Sequence, residues 1–560
     1  MLLTKTTDCG KIFTTSGLTM PSNYEKRRVF SPFGGNKRNM KRNMKLFVRM
    51  LCLLIACLTV LALVVACDGD GDKDTVKFKD NTKDRNGRLK DSLPDMDDDP
   101  SNDLNYEGEV INLMYWAEVE RPEFEQEEIT GDNVRDAIYD RNVNVEDRLN
   151  VDLNFIPVYA AYHGAREPFL KHIDAIYNAG TQDYDIIATY ARTEGTLAVQ
   201  GFLQNLSTIK GSYIDLEKPW WPAQLLDTVT FGNNSYYFIS GDMSTNVLHM
   251  MHLMFINKTM FEELEIDLPY ETVRKGEWTV DKLIEITSDR YIDVDGNNMV
   301  STGDTFGFCA LHYVCDSFYP GSNLRYIVED DTDMLKLSPD YGSAKTVKLI
   351  NKLGQWAATD SIWITHSYSN TEEEQGATRK LFAKEQALVW MEHACFAESS
   401  LLDVDFDYGL VPNPKYDAKQ KNYYTGMGNP FTLYGVYIDF DERGNRDETL
   451  KMFTAVMECY ASEAYRLTTP EIFEVNMQLK YSEGQDETDM FEYVRSGIVF
   501  DLGKIFSTEL SNMPELASHA IAGNSSWSHA YKSYKRSIET KLENIVKDFR
   551  EYQAHRDTVE

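Results

Sequence analysis

The sequence predicts an α/β protein of more than one lobe, and three observations carry that expectation. Short runs of β-branched and aromatic residues alternate with helix-compatible stretches, the pattern of βαβ units around a buried parallel sheet. Roughly 450 of the residues carry it, too many for one compact core. The chain is also strongly acidic, with 57 Lys/Arg against 89 Asp/Glu and a net charge of −32 over 560 residues. Such a surface disfavours nucleic acid as a partner.

The elements follow in order. "EVINLMYW" (109–116), "VDLNFIPV" (151–158) and "DYDIIATY" (183–190) read as strands separated by helical sequence. In "GEWTVDKLIEIT", Thr279 stands as a helix N-cap, with Trp278 and Leu283 at the positions of a hydrophobic staple. "NYYTGMGNPFTLYGVYID" reads as further strand, and Leu450, Phe453, Val456, Met457 and Tyr460 share one helical face.

Ahead of these elements lies an export signal. Met50 to Ala66 is a nearly uncharged run of 17 residues preceded by Lys41, Arg42, Lys45 and Arg49. That length is short for a membrane span and suits a signal-peptide core with a positive flank. "LVVAC" resembles a bacterial lipobox, which makes Cys67 the expected lipidation site, followed by Asp68; a plain single-pass anchor is the alternative. Either way the rest of the chain is tied to the extracellular face of the bacterial cytoplasmic membrane. Residues 1–66 are read as leader and signal peptide, with Met40 and Met44 as possible starts. After Ala66 the balance is 46 Lys/Arg against 87 Asp/Glu, a net −41. Residues 67–108 are charged and poor in apolar side chains, and read as an acidic disordered tether. Cys309, Cys315, Cys395 and Cys459 remain in the folded part, too few for a disulfide scaffold. Cys309 and Cys315 either pair or, the favoured reading, stay as buried thiols.

Four phrases then carry a family resemblance. "DYDIIATYARTEGTLAVQGFLQNLS", "FGNNSYYFISGD" with "MHLMFINKTMFEEL", "LFAKEQALVWMEHA" and "DFDYGLVPNPKYDAKQKNYYT" occur in the order found in the extracellular solute-binding lipoproteins of carbohydrate ABC importers. The chain resembles that group, which is similar to maltodextrin-binding protein, from about Glu109 to the C-terminus. It departs where Ala383, Lys384 and Glu385 replace a small, Gly-rich turn. The resemblance implies a two-lobed periplasmic-binding-protein-like (type II) fold with an interlobe cleft and three hinge crossings, expected near Leu248, Glu374 and Ile438. Lobe one is then 109–248 and 375–438, and lobe two 249–374 and 439–560. It also implies a monomeric receptor, not an enzyme, that passes a mono- or oligosaccharide to an ABC permease.

Mapped through the resemblance, Trp116, Tyr190, Arg192, Trp390, Glu392 and His393 face the ligand from lobe one, and Phe318 and Tyr319 from lobe two. Trp390 and Tyr190 are expected to cover a sugar's apolar face while Arg192, Glu392 and His393 bond its hydroxyls. His249 and His252 sit in a Met-rich apolar run and read as packed histidines.

A further motif is chemically explicit. "DVDGNNMVSTGD" places oxygens from Asp293, Asp295, Asn297, Ser301 and Asp304, with the Met299 carbonyl, at the ligand positions of a twelve-residue calcium loop. Asn298 holds the place of the usual glycine, a position asking for left-handed backbone. The loop is either a structural Ca²⁺ site or an acidic turn. Nucleotide-binding P-loop, zinc-protease, serine-hydrolase and C-x-x-C motifs are missing. A surface-anchored carbohydrate-active enzyme and a calcium-stabilised adhesive lipoprotein are the alternatives to the receptor.

Overall fold

Strands form at the four places read from the sequence, the third and fourth shorter than expected, at 186–190 and 432–436. The computed structural model describes residues 88–94, 104–119, 121–161, 164–232, 235–332, 334–365, 376–401, 403–438, 445–473 and 485–559. In it β1 (Glu109–Trp116), β2 (Val151–Val158) and β3 (Ile186–Tyr190) are parallel in the order β3-β1-β2. A second sheet contains β4 (His252–Asn257), β5 (Phe306–Ala310), β8 (Ile362–Ile364), β9 (Ala387–His393) and β10 (Tyr408–Val411), in the order β10-β4-β9-β5-β8. β4 and β9 are buried at every residue, which is why both read as continuous apolar runs. β6 (Ile327–Glu329) and β7 (Leu335–Leu337) pair separately, and β11 (Thr432–Val436) returns to the first sheet, antiparallel to β3.

Local signals hold. The Thr279 side chain accepts from the Lys282 amide, and Trp278 and Leu283 are fully buried beside it. The Arg446–Arg466 helix buries the predicted face against the Asn133–Leu149 helix. All four described cysteines are buried free thiols.

The lobe boundaries differ from the expectation for residues 375–411 and again beyond Ile438. β9 and β10 belong to the second sheet, so lobe one regains the chain only at β11. The flanking β8 and β9 lie in one sheet, so the expected crossing near Glu374, itself outside the described residues, is not a change of lobe. The passage falls between Val411 and Thr432. Beyond Ile438 the Arg446–Arg466 helix still packs on lobe one, and the Gln485–Ser496 helix packs on β10 in lobe two. Apolar runs such as "ALVWMEH" suit either sheet, and only the pairing partner decides which one takes them.

The tether expectation also needs correction. Residues 88–94 dock on lobe one: Arg148 grips Asp91 with two parallel bonds of 2.6 and 2.8 Å, Ser462 Oγ donates to it at 2.9 Å, and Leu93 is buried. Burial raises the Asp91 carboxyl, but Arg148 and Arg466 outweigh it and hold the pKa below its ordinary value. A depressed carboxylate contributes stability above its unfolded pKa of about 3.9 and loses it as pH falls through the folded value. Asp91→Asn is expected to free this segment at neutral pH and to remove its acid-dependent release. Hydrogen exchange of the Leu93 amide across pH 3 to 7 reads both, and unchanged protection would refute the docking.

The long C-terminal helix, Trp527–Val559, straps both lobes. Trp527 and Tyr531 pack on Tyr341 of lobe two, while Phe549 packs on Phe231 and Tyr237 of lobe one. Gly232, at φ +70, leaves the space that the Phe549 ring fills. No helix among the described residues is long and apolar enough to cross a membrane. The signal segment and Cys67 lie outside those residues.

Candidate functional site

The ends of β3, β4 and β9 meet the crossing at 427–431 around a cavity of about 250 Å³. From lobe two, His252 opens β4 and His393 closes β9, directly opposite each other in an antiparallel pair. Their Nε2 atoms are 3.1 Å apart. His393 Nδ1 lies 2.7 Å from Glu392 Oε1, and His252 Nδ1 meets Ser317 Oγ. Burial drives the His252 imidazole well below its ordinary pKa, and His393 and Lys504 act in the same direction, so this ring is neutral. Asp316 stands behind it, paired at 2.7 Å with Lys504, whose ammonium also donates to the Met427 carbonyl at 2.5 Å. Burial raises the Asp316 carboxyl despite Lys504.

From lobe one, Arg192 follows β3. With the Asn429 amide turned to satisfy its neighbours, its oxygen accepts from Arg192 at 2.7 and 3.0 Å and its nitrogen donates to Tyr190 Oη at 2.5 Å. Arg192 reaches Thr508 at 3.4 Å, and Arg166 pairs with Glu509 at 2.6 Å, so lobe one is tied here to the segment after Asp501. Tyr313, Phe396 and Phe431 supply apolar wall, with the Arg379 guanidinium 3.3 Å above the Phe396 ring. Donors, acceptors and aromatic faces therefore converge from both lobes, the equipment for holding a polar ligand with apolar patches.

Of the residues expected to face the ligand, Arg192 and His393 line the cavity, with Glu392 directly behind His393 and Tyr190 behind Asn429. The other four are buried away from it. Trp390 is fully buried between Phe255 and Phe382, with ring centroids at 4.9 and 5.4 Å. It stands three residues before the strand end, and its side chain packs under the Ala377–Ala383 helix that carries Phe382. Trp116 donates to Thr432 Oγ1 at 2.9 Å inside lobe one. Phe318 packs on Phe308 and Trp356, and Tyr319 stacks on Tyr326 at 4.3 Å. The wall residues Tyr313, Asp316, Arg379, Asn429, Lys504 and Glu515 escaped the sequence reading. His252 is packed, as the sequence suggests, but it also touches the cavity wall opposite His393, an opposition that depends on strand register.

In the acidic loop, the carboxylates of Asp293, Asp295 and Asp304 offer oxygens within 4.8 Å of one another. Asn298 takes φ +58, the left-handed backbone its position asks for. Asp293 Oδ1 and Oδ2 accept from the Gly296 and Asn298 amides at 2.8 and 2.9 Å, and Asp304 Oδ2 accepts from the Ser301 amide at 2.8 Å. Asn297 donates to Asp295 and its Oδ1 accepts from the Met299 amide at 2.6 Å, while Ser301 Oγ accepts from the Gly303 amide at 3.1 Å.

The sequence matches no protein-family model and no curated protein. Solved structures do share its fold. UspC of M. tuberculosis is 11% identical, with 77% of this chain and 100% of that chain covered and a TM-score of 0.50. The cyclic alpha-maltosyl-1,6-maltose binding protein of Arthrobacter globiformis is 13% identical over 78% and 100% of the two chains, TM-score 0.49. A cyclo/maltodextrin-binding protein complexed with maltotetraose is 14% identical over 80% and 98%, TM-score 0.47. At such identities the likeness to UspC establishes the two-lobed α/β fold.

Proposed function

We propose that this chain is an extracellular solute-binding receptor, anchored through an acylated Cys67, that captures a carbohydrate between its lobes and presents it to an ABC permease. The observation that carries the proposal is the cavity itself, with polar groups and aromatic faces from both lobes at the point where the chain passes between them. Its volume of about 250 Å³ is small. Ligand pockets usually span about 300–1,000 Å³, so the size favours a mono- or disaccharide over a longer chain. Tyr313 and Phe396 cover the apolar ring face, and Arg192 and Asn429 bond hydroxyls.

A thermal-shift screen over mono- and oligosaccharides tests this, since a ligand bound only by the folded state raises the melting temperature. Tyr313→Ala is expected to weaken the best ligand about tenfold, a stacked ring being worth about 0.5–1.5 kcal/mol beyond its area. Arg192→Ala, which also frees Asn429, should weaken it further and cost more in affinity than in apo stability. No shift with any sugar would remove the carbohydrate reading.

We also propose Ca²⁺ as a structural ion at Asp293, Asp295, Asn297, Ser301, Asp304 and the Met299 carbonyl, ordering the turn before β5. Chelator should lower the melting temperature of the wild type and leave Asp293→Ala unmoved. Equal melting with and without chelator would leave an acidic turn.

A further inference from the structure

We infer that His252 and His393 form a two-imidazole chelate for a divalent transition-metal ion of the Zn²⁺ class, opening into the cleft. The site goes beyond the carbohydrate reading and does not depend on it. The two Nε2 atoms lie 3.1 Å apart on rings inclined by 71°. Nitrogens on one tetrahedral zinc, each at about 2.0–2.1 Å, stand roughly 3.3 Å apart, so the pair needs to open only slightly to take the ion.

The outer partners are those a metal-bound histidine requires. His393 Nδ1 lies 2.7 Å from Glu392 Oε1, a carboxylate that fixes the Nδ1–H tautomer and leaves the Nε2 lone pair facing His252. His252 Nδ1 meets Ser317 Oγ, with Asp316 Oδ1 at 3.8 Å. Without metal, the His252 Nε2–H donates to His393 Nε2 and Ser317 donates to His252 Nδ1. When the ion enters, the His252 proton moves from Nε2 to Nδ1 and Ser317 Oγ becomes its acceptor. Both Nε2 lone pairs then point at the ion.

The backbone beside the pair is glycine, and the pair lies on the cavity wall. A Cβ on Gly428 would stand 2.0 Å from His393 Nε2 and 3.1 Å from His252 Nε2. Glycine therefore lets the backbone pass close against both rings on the wall of the cleft, where any side chain would push His393 aside. Imidazole suits zinc, copper and nickel and is a poor ligand for calcium, which separates this site from the oxygen-lined loop. The ion's remaining positions face the cavity, where oxygens of a bound ligand or water fill them.

The test is titration of the full chain in detergent with Zn²⁺ by calorimetry, after stripping metals and with excess Ca²⁺ to occupy the acidic surface. One equivalent is expected to bind saturably, and His252→Gln and His393→Gln should each weaken it at least tenfold. Gly428→Ala should do the same by pushing the His393 ring out of line with His252. Zinc-edge absorption of the wild type, which needs no variant, should report two imidazole nitrogens at about 2.0–2.1 Å. Absence of a one-equivalent heat, a heat unmoved in both histidine variants, or an edge spectrum without imidazole would each overturn the site and leave a plain His–His hydrogen bond, whatever the sugar screen shows.

Discussion

Trp390→Ala is expected to cost about 3–5 kcal/mol of stability, the usual range for removing a large aromatic from a core. The indole is fully buried and lies between Phe255, its cross-strand partner in β4, and Phe382 of the covering helix. Its neighbours belong to a strand and a helix that cannot both collapse into the gap, so most of the cavity persists. Ligand affinity of the folded fraction should hardly change, because Trp390 does not line the cleft. Denaturant melts and calorimetric titration separate the two effects. Lost affinity with intact stability would restore the residue to the binding site.

Asp242→Ala is expected to be of similar size, about 3–5 kcal/mol, because it leaves the buried Arg495 with only the half-exposed Glu492, at 2.8 Å, as counter-charge. Asp242, in lobe one just before the first crossing, accepts from Arg495 at 3.0 and 3.1 Å and from Thr469 at 3.0 Å. Arg495 belongs to the Gln485–Ser496 helix of lobe two and also donates to the Pro219 carbonyl at 2.7 Å, so the pair fastens the lobes behind the cleft. Burial raises the Asp242 carboxyl even with Arg495 against it, so desolvation exceeds the attraction. The double variant Asp242→Ala/Arg495→Met should therefore recover most of the loss, since an apolar pair of similar volume is often neutral or better. If both variants melt alike, the ion pair is not what holds this seam.

Much of the fold was legible in the residues. Periodicity marked the first three strands, capping chemistry marked Thr279, and the order of phrases implied two lobes joined by repeated crossings. The acidic stretch after Cys67 was misread near Asp91, because averaging over forty residues hides one carboxylate that two arginines can grip. The lobe of β9 was misread because an apolar run satisfies either sheet.

The site was legible only in part. Arg192 and His393 end up on the cleft wall because ligands gather at the carboxyl ends of strands, a rule that sequence order can apply. Trp390, three residues short of its strand end, was expected there and is instead core. Lys504 and Glu515 stand more than a hundred residues from His393 and reach the cavity only when the segment after Asp501 folds back onto lobe two.

By itself the sequence determined the α/β class, the order of its early elements and the charge that turns it from nucleic acid, because these depend on local period and composition. Which strand joins which sheet, which histidines oppose each other and which side chains share the cleft were decided by tertiary structure. Those outcomes depend on strand register and on contacts between residues as far apart as His252 and His393, where no local signal acts.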